Sequence, residues 1–165
     1  MKRKIERTLL HQVLAPVLMG VLLLTGSVVW AFDEVSLARS PQGYAVSGYD
    51  TVAYFTEKKP VRGNEKYKHT WKNATWVFAS EEHLKLFKAN PEKYAPQYGG
   101  HCAWGIGGKS ALFSSDPAAW EIIDGKLYLN YNPSVRNTWL RNTGKYIKNG
   151  DVVWKNLLKK NKKDS

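Results

Sequence analysis

From Tyr67 to Phe78 the chain is patterned to fold back on itself as an aromatic hairpin. Tyr67, His69 and Trp71 alternate with Lys68, Thr70 and Lys72, and Trp76 and Phe78 flank Val77. Period-two alternation puts the large rings on one face and the polar residues on the other. The turn is expected at Asn73-Ala74, and His69 falls on the aromatic face, the usual place for a packed, hydrogen-bonded imidazole. Trp120–Ile123, Asp124-Gly125 and Lys126–Asn130 form a second expected hairpin, because Asp-Gly suits a two-residue turn. Short strands are expected at Gly43–Val46 and Ala111–Phe113, and a turn at Asp116-Pro117.

Aromatic faces of this kind need cover, and helix signals lie around them. Asp50 is placed to cap a turn over Thr51–Phe55. Ser80 caps a helix that begins Glu81-Glu82 and carries Leu84, Phe87 and His83 on one face. Asn90-Pro91 opens another, with Pro at its first position. Asn132-Pro133 opens a third, reaching Arg141 with Val135 and Trp139. Asp151 is expected to cap a last helix bearing Val152, Val153, Leu157 and Leu158. Helices mixed with antiparallel hairpins, with no strand–helix–strand alternation, predict an α+β fold: small hairpins packed with short helices in one compact domain.

The first 31 residues read as a leader rather than as part of that domain. Lys2, Arg3, Lys4 and Arg7 precede an almost wholly apolar run from Val13 to Val29, and Val29-Trp30-Ala31 fits a cleavage site. The same run is just long enough for an uncleaved membrane anchor. Either outcome makes the protein exported: periplasmic, extracellular or membrane-tethered. The remaining 134 residues suffice for one domain. Its net charge, +11 for the whole chain, is concentrated in Lys155, Lys159, Lys160, Lys162 and Lys163. Residues 147–165 therefore read as a C-terminal helix with a basic tail. An exported protein has little access to nucleic acid, so an anionic membrane surface or an acidic partner is the expected counterpart, with a merely solubilising tail as the plain alternative.

Cys102 is the only cysteine, so no internal disulfide is available and packing must supply stability. It sits in Tyr98-Gly-Gly-His-Cys-Ala-Trp-Gly-Ile-Gly-Gly108. Three enzymatic look-alikes meet there and none has its required context. Ala103 to Ser110 fits a relaxed phosphate-loop pattern, but Phe113-Ser-Ser-Asp-Pro117 ends any long helix. Gln97 and Cys102-Ala-Trp104 suggest a cysteine hydrolase, but no histidine follows His101. No Cys-x-x-Cys-His is present for haem. No enzymatic activity is expected. Cysteine and histidine are ligand types for zinc or copper, yet His101 and Cys102 diverge in any regular backbone. Only an irregular turn, permitted by Gly99, Gly100 and Gly105, would aim both at one ion, with His83 or His69 completing the set. The alternative is a buried structural thiol. Asn73-Ala-Thr75 also matches a glycosylation acceptor.

Several stretches together resemble the YHS domain of exported proteins. They are Gly48-Tyr-Asp-Thr-Val-Ala-Tyr-Phe55, Trp76-Val-Phe78-Ala-Ser80, Phe87, Asn90 to Gly100, Cys102-Ala103 and Asp124 to Tyr131. The likeness spans residues 43–146. It implies a small, metal-associated domain with no established catalysis. Metal-linked members carry cysteine where this chain has Ala79 and again where it has His83. One implied ligand is therefore missing and the other replaced by a histidine. The expected function is an exported binding module holding copper or zinc at Cys102, His101, His83 and His69, with Tyr98, Gly99, Gly100 and Trp104 as the binding loop. The competing expectation is a non-catalytic interaction or structural protein. It would bind a partner or a small apolar ligand, with Cys102 buried and no metal.

Overall fold

The computed structural model describes residues 32–163. The expected leader over 1–31 lies outside the described residues. Among the described residues no helix is long and apolar enough to cross a membrane. The fold is α+β, as expected: two antiparallel hairpins, each a separate two-stranded sheet, packed with helices in one compact body.

β1 (Asn64–Trp71) pairs with β2 (Ala74–Phe78), with His69 opposite Trp76 and Trp71 opposite Ala74. The turn is therefore Lys72-Asn73, one residue earlier than expected. Both turn residues have positive φ, 49° and 56°, the conformation that matches the twist of a two-residue hairpin. β3 (Asp116–Ile123) pairs with β4 (Lys126–Asn130) through Asp124-Gly125, as the sequence predicts. Asp116-Pro117 lies inside β3 rather than in a turn, followed by a shift of register that relieves the missing proline N–H. Two short strands expected from the sequence do not form. Ala45–Gly48 is a tight turn instead of a strand, because Val46 and Ser47 adopt left-handed φ. Ala111–Phe113 is extended but unpaired within the two sheets.

Helix α1 (Ala53–Thr56) starts after Val52, three residues beyond Asp50, whereas α2 (Glu81–Ala89), α3 (Pro91–Tyr94) and α5 (Pro133–Leu140) begin at the predicted caps. Asp50, Ser80, Asn90 and Asn132 each accept a backbone N–H of the first turn. α2 drops Phe87 into the first hairpin, where its ring meets those of Trp71, Trp76 and Phe78 at centroid distances of 4.9–5.8 Å. This cluster is the first core; Leu127 and Leu129 of β4 close it. A second core gathers Tyr98, Ile106, Tyr128 and Trp139.

Two helices depart from expectation. α6 (Thr143–Lys163) starts eight residues before Asp151 and runs through it. Asp151 is not a cap; its carboxylate accepts the Tyr98 hydroxyl at 3.0 Å. The glycine-rich stretch is a helix, α4 (Ala103–Lys109), rather than a loop. Each glycine in a helix costs about 1 kcal/mol against alanine, yet here a side chain would not fit. A Cβ on Gly107 would lie 2.1 Å from the Tyr146 carbonyl oxygen of α6. One on Gly105 would lie 2.6 Å from the Phe113 ring. Close helix contact overrides local propensity.

Asp50 ties the first half of the molecule together. It is fully buried. Oδ1 accepts Val52 N–H at 2.9 Å, and Oδ2 accepts Ala79 N–H at 2.7 Å and faces His83 Nδ1 at 2.6 Å. One side chain thus fixes α1, the end of β2 and the start of α2.

Two outcomes follow from these contacts. Asp50→Ala strands several buried donors and loses on the order of 3 kcal/mol in urea unfolding; Asp50→Asn loses less, because one oxygen still accepts. A null effect of Asp50→Ala contradicts its role. Gly107→Ala raises helix propensity but destabilises the protein by about 2 kcal/mol through the forced separation of α4 and α6. An increase in melting temperature contradicts the close contact.

Candidate functional site

Cys102 is the N-cap of α4 and is buried. Its sulfur accepts Gly105 N–H at 3.4 Å, and its S–H points to Asn130 Oδ1 at 3.8 Å. Asn130, itself fully buried, also accepts Trp104 N–H at 3.1 Å. Burial pushes the thiol pKa up, against the smaller opposing pull of backbone N–H groups. The imidazole of His101 turns elsewhere. Its Nε2 donates to the Asp33 carbonyl at 3.1 Å, since a carbonyl can only accept. Its ring lies 5.9 Å from that of Trp154. Burial holds its pKa below the ordinary histidine value.

His83 belongs to a different neighbourhood. Its Nδ1 faces Asp50, and its Nε2 faces the Thr56 hydroxyl at 3.2 Å. Carboxylate, imidazole and hydroxyl stand in the order of a hydrolytic triad. The bonds describe a clamp instead: Asp50 is spent on backbone N–H groups, and the Thr56 hydroxyl donates to the Val52 carbonyl. His69 packs on β1 with its ring 6.4 Å from Phe87, and desolvation, then the charge of Lys88, lowers its pKa.

The four histidine and cysteine side chains expected as ligands therefore occupy separate settings. Among the described residues no group of three or more His, Cys, Asp or Glu is placed to hold a metal. A buried thiol kept protonated, and imidazoles that do not converge with it, do not form the shared donor set that a copper or zinc centre needs.

A different feature occupies the seam between the first hairpin and α6. A cleft of about 410 Å³ opens there. Its walls include Val35, Trp71, Trp76, Tyr98, Trp154 and Leu158, and its charged lining sets Lys72, Lys155, Lys159 and Lys162 beside Glu34, Glu92 and Asp151. Lys72 is paired with Glu34 at 2.8 Å. Lys155, Lys159 and Lys162 have no acidic partner within 4.0 Å among the described residues. Of the expected binding loop, Tyr98 and Gly99 line this cleft. Gly99 holds φ at 59°, and a Cβ there would lie 1.7 Å from the Glu34 carbonyl oxygen, so the N-terminal strap passes directly over it. Gly100 is buried. Trp104 instead lines a smaller apolar hollow of about 230 Å³ with Cys102, Phe113, Tyr131 and Val135.

The family model of the YHS domain matches residues 52–98. The stretch from Val52 to Tyr98 is thus similar to the YHS domain. Neither a curated protein nor a solved structure matches the chain. His69 and His83 lie within the matched stretch, whereas His101, Cys102 and α6 follow it. The cleft is thus built partly by the YHS stretch and partly by what comes after.

Sequence reasoning passed over Trp71, Trp76 and Trp154 as ligand-facing groups, and Thr56 as a partner of His83. A signal for the cleft was present: Lys155, Lys159 and Lys162 recur at helical spacing beside Trp154 and Leu158.

The thiol gives a direct check. In native protein Cys102 should react with iodoacetamide at least tenfold more slowly than in urea, with reaction setting in above the ordinary thiol range of about 8.5. Rapid alkylation at neutral pH would show an accessible thiolate and restore it as a ligand.

Proposed function

We propose that the protein is a non-catalytic binding module whose ligand enters the cleft between the YHS stretch and α6. One observation carries this reading: a cavity within the size range of small-ligand sites, with aromatic and aliphatic walls and three rim lysines, Lys155, Lys159 and Lys162, that have no carboxylate within 4.0 Å among the described residues. Such a site suits a small apolar molecule that carries one anionic group. Its hydrocarbon would lie against Trp76, Tyr98, Trp154 and Leu158, and its carboxylate or phosphate would reach Lys155 and Lys159. The buried thiol and the dispersed imidazoles support this reading over a copper or zinc module. Export to the periplasm or beyond, whether by a cleaved leader or a retained anchor, belongs to the same proposal and rests on Lys2 to Val29.

Three tryptophans line the cleft, so intrinsic fluorescence reports its occupancy. Dodecanoate should give a saturable change at one equivalent, while dodecyltrimethylammonium gives none. Lys155→Gln with Lys159→Gln should weaken dodecanoate about tenfold, the loss of a charge-assisted contact, and leave dodecanol unaffected. If dodecanoate and the cation bind alike, the lysine rim has no role. Stoichiometric retention of zinc or copper in equilibrium dialysis, lost in Cys102→Ser, would return the function to metal binding.

A further inference from the structure

We propose that the lysine stripe of α6 docks the protein on an anionic lipid bilayer. Lys148, Lys155, Lys159 and Lys162 are separated by seven, four and three residues. At 100° per residue they occupy a band of about 60°, extending about 21 Å along the helix. All four are exposed, and none has a carboxylate within 4.0 Å among the described residues. Asp151, the only acid on the helix, is taken by the Tyr98 hydroxyl. Val152 lies beside the stripe and is 59% exposed, an apolar tip among the charges.

The opposite side of α6 does the structural task. Tyr146, Ile147, Val153, Trp154 and Leu157 pack on the second core. The lysines contribute nothing to that packing, and like charges one turn apart destabilise a helix. An external anionic surface relieves the repulsion. Near such a surface each lysine adds about fivefold in partitioning, and Lys148 and Val152 extend the surface beyond the walls of the cleft.

Chain direction selects a bilayer among polyanions. Phe32 N–H donates to Asn161 Oδ1 at 3.2 Å, and Asn161 Nδ2 donates to the Phe32 carbonyl at 3.1 Å. Phe32 is therefore fixed to the last turns of α6, level with the axial end of the lysine stripe and on a flank of the helix about 130° round from it. The residues before Phe32 include the apolar run Val13 to Val29.

Cosedimentation of the full chain with phosphatidylcholine vesicles, with and without phosphatidylglycerol, tests the proposal. The leader's own Lys2, Arg3, Lys4 and Arg7 also favour anionic vesicles, so the readout is the change in that preference between two charge variants. Binding should be at least about tenfold stronger to the anionic vesicles, and high salt should abolish the preference. Replacing Lys148, Lys155, Lys159 and Lys162 by Glu should remove the greater part of it, leaving only what the basic start of the leader contributes. Replacing Lys66, Lys68, Lys88 and Lys126 by Glu, the same change in net charge, should preserve it. If the first variant does not fold, Lys159→Gln and the salt series on the unaltered chain carry the test, with a loss of about fivefold expected from the single change. Equal partitioning onto neutral and anionic vesicles overturns the proposal. So does equal loss in both charge variants, or equally strong retention on duplex DNA. Dodecanoate binding without vesicle preference would leave the cleft standing and remove the bilayer.

Discussion

The carboxylate of Asp50, with no surface exposed to water, is the point on which the first half of the molecule turns. A buried carboxylate is tolerable only when its oxygens are satisfied, and these are, by donors from three elements. Removing it would free α1 from β2 and β2 from α2 at once. The adjacent geometry follows from it. Ala79 is held where the strand ends, Ser80 is left free to cap α2, and Phe87 then falls among Trp71, Trp76 and Phe78. His83 is part of the same arrangement, so its most evident task is to complete the hydrogen bonding of Asp50 and Thr56.

The second half depends on closeness rather than on charge. Gly107 lets α4 touch the backbone of α6, and Gly150 of α6 leaves room for the Tyr98 hydroxyl, which a Cβ would approach to 2.6 Å. Tyr98 therefore spans the seam: its ring meets those of Tyr128 and Trp154, and its hydroxyl reaches Asp151. The cleft is what remains where this seam does not close against Trp71 and Trp76. It exists because the YHS stretch and the long helix are each packed inward on their own cores.

The hairpins, the caps of the early helices and the α+β class were legible because each rests on local rules: alternation, Asx and Ser capping, and Asp-Gly turns. Asp50 could be read as a cap, but not as the partner of Ala79 and His83, since those bonds span about thirty residues of chain. The glycine stretch was misread as a loop for the opposite reason. Local propensity argues against a helix there, and only the contact with Tyr146 explains one. Cys102 and His101 were conspicuous as residue types, yet type does not reveal direction; the sulfur turns to Asn130 and the imidazole to Asp33. Trp71 and Trp76 read as members of the hairpin's aromatic face, and only tertiary structure shows that they face a cavity together with Trp154.

The paired hydrogen bonds between Phe32 and Asn161 have a consequence for how the domain loosens. Chain ends ordinarily fray one at a time, each at little cost. Here the first described residue and the last turns of α6 hold one another, and the Phe32 ring rests on Trp154 at 5.7 Å. Release of either segment uncovers the same tryptophan, so the stretch at Phe32 and the last turns of α6 melt as one cooperative unit.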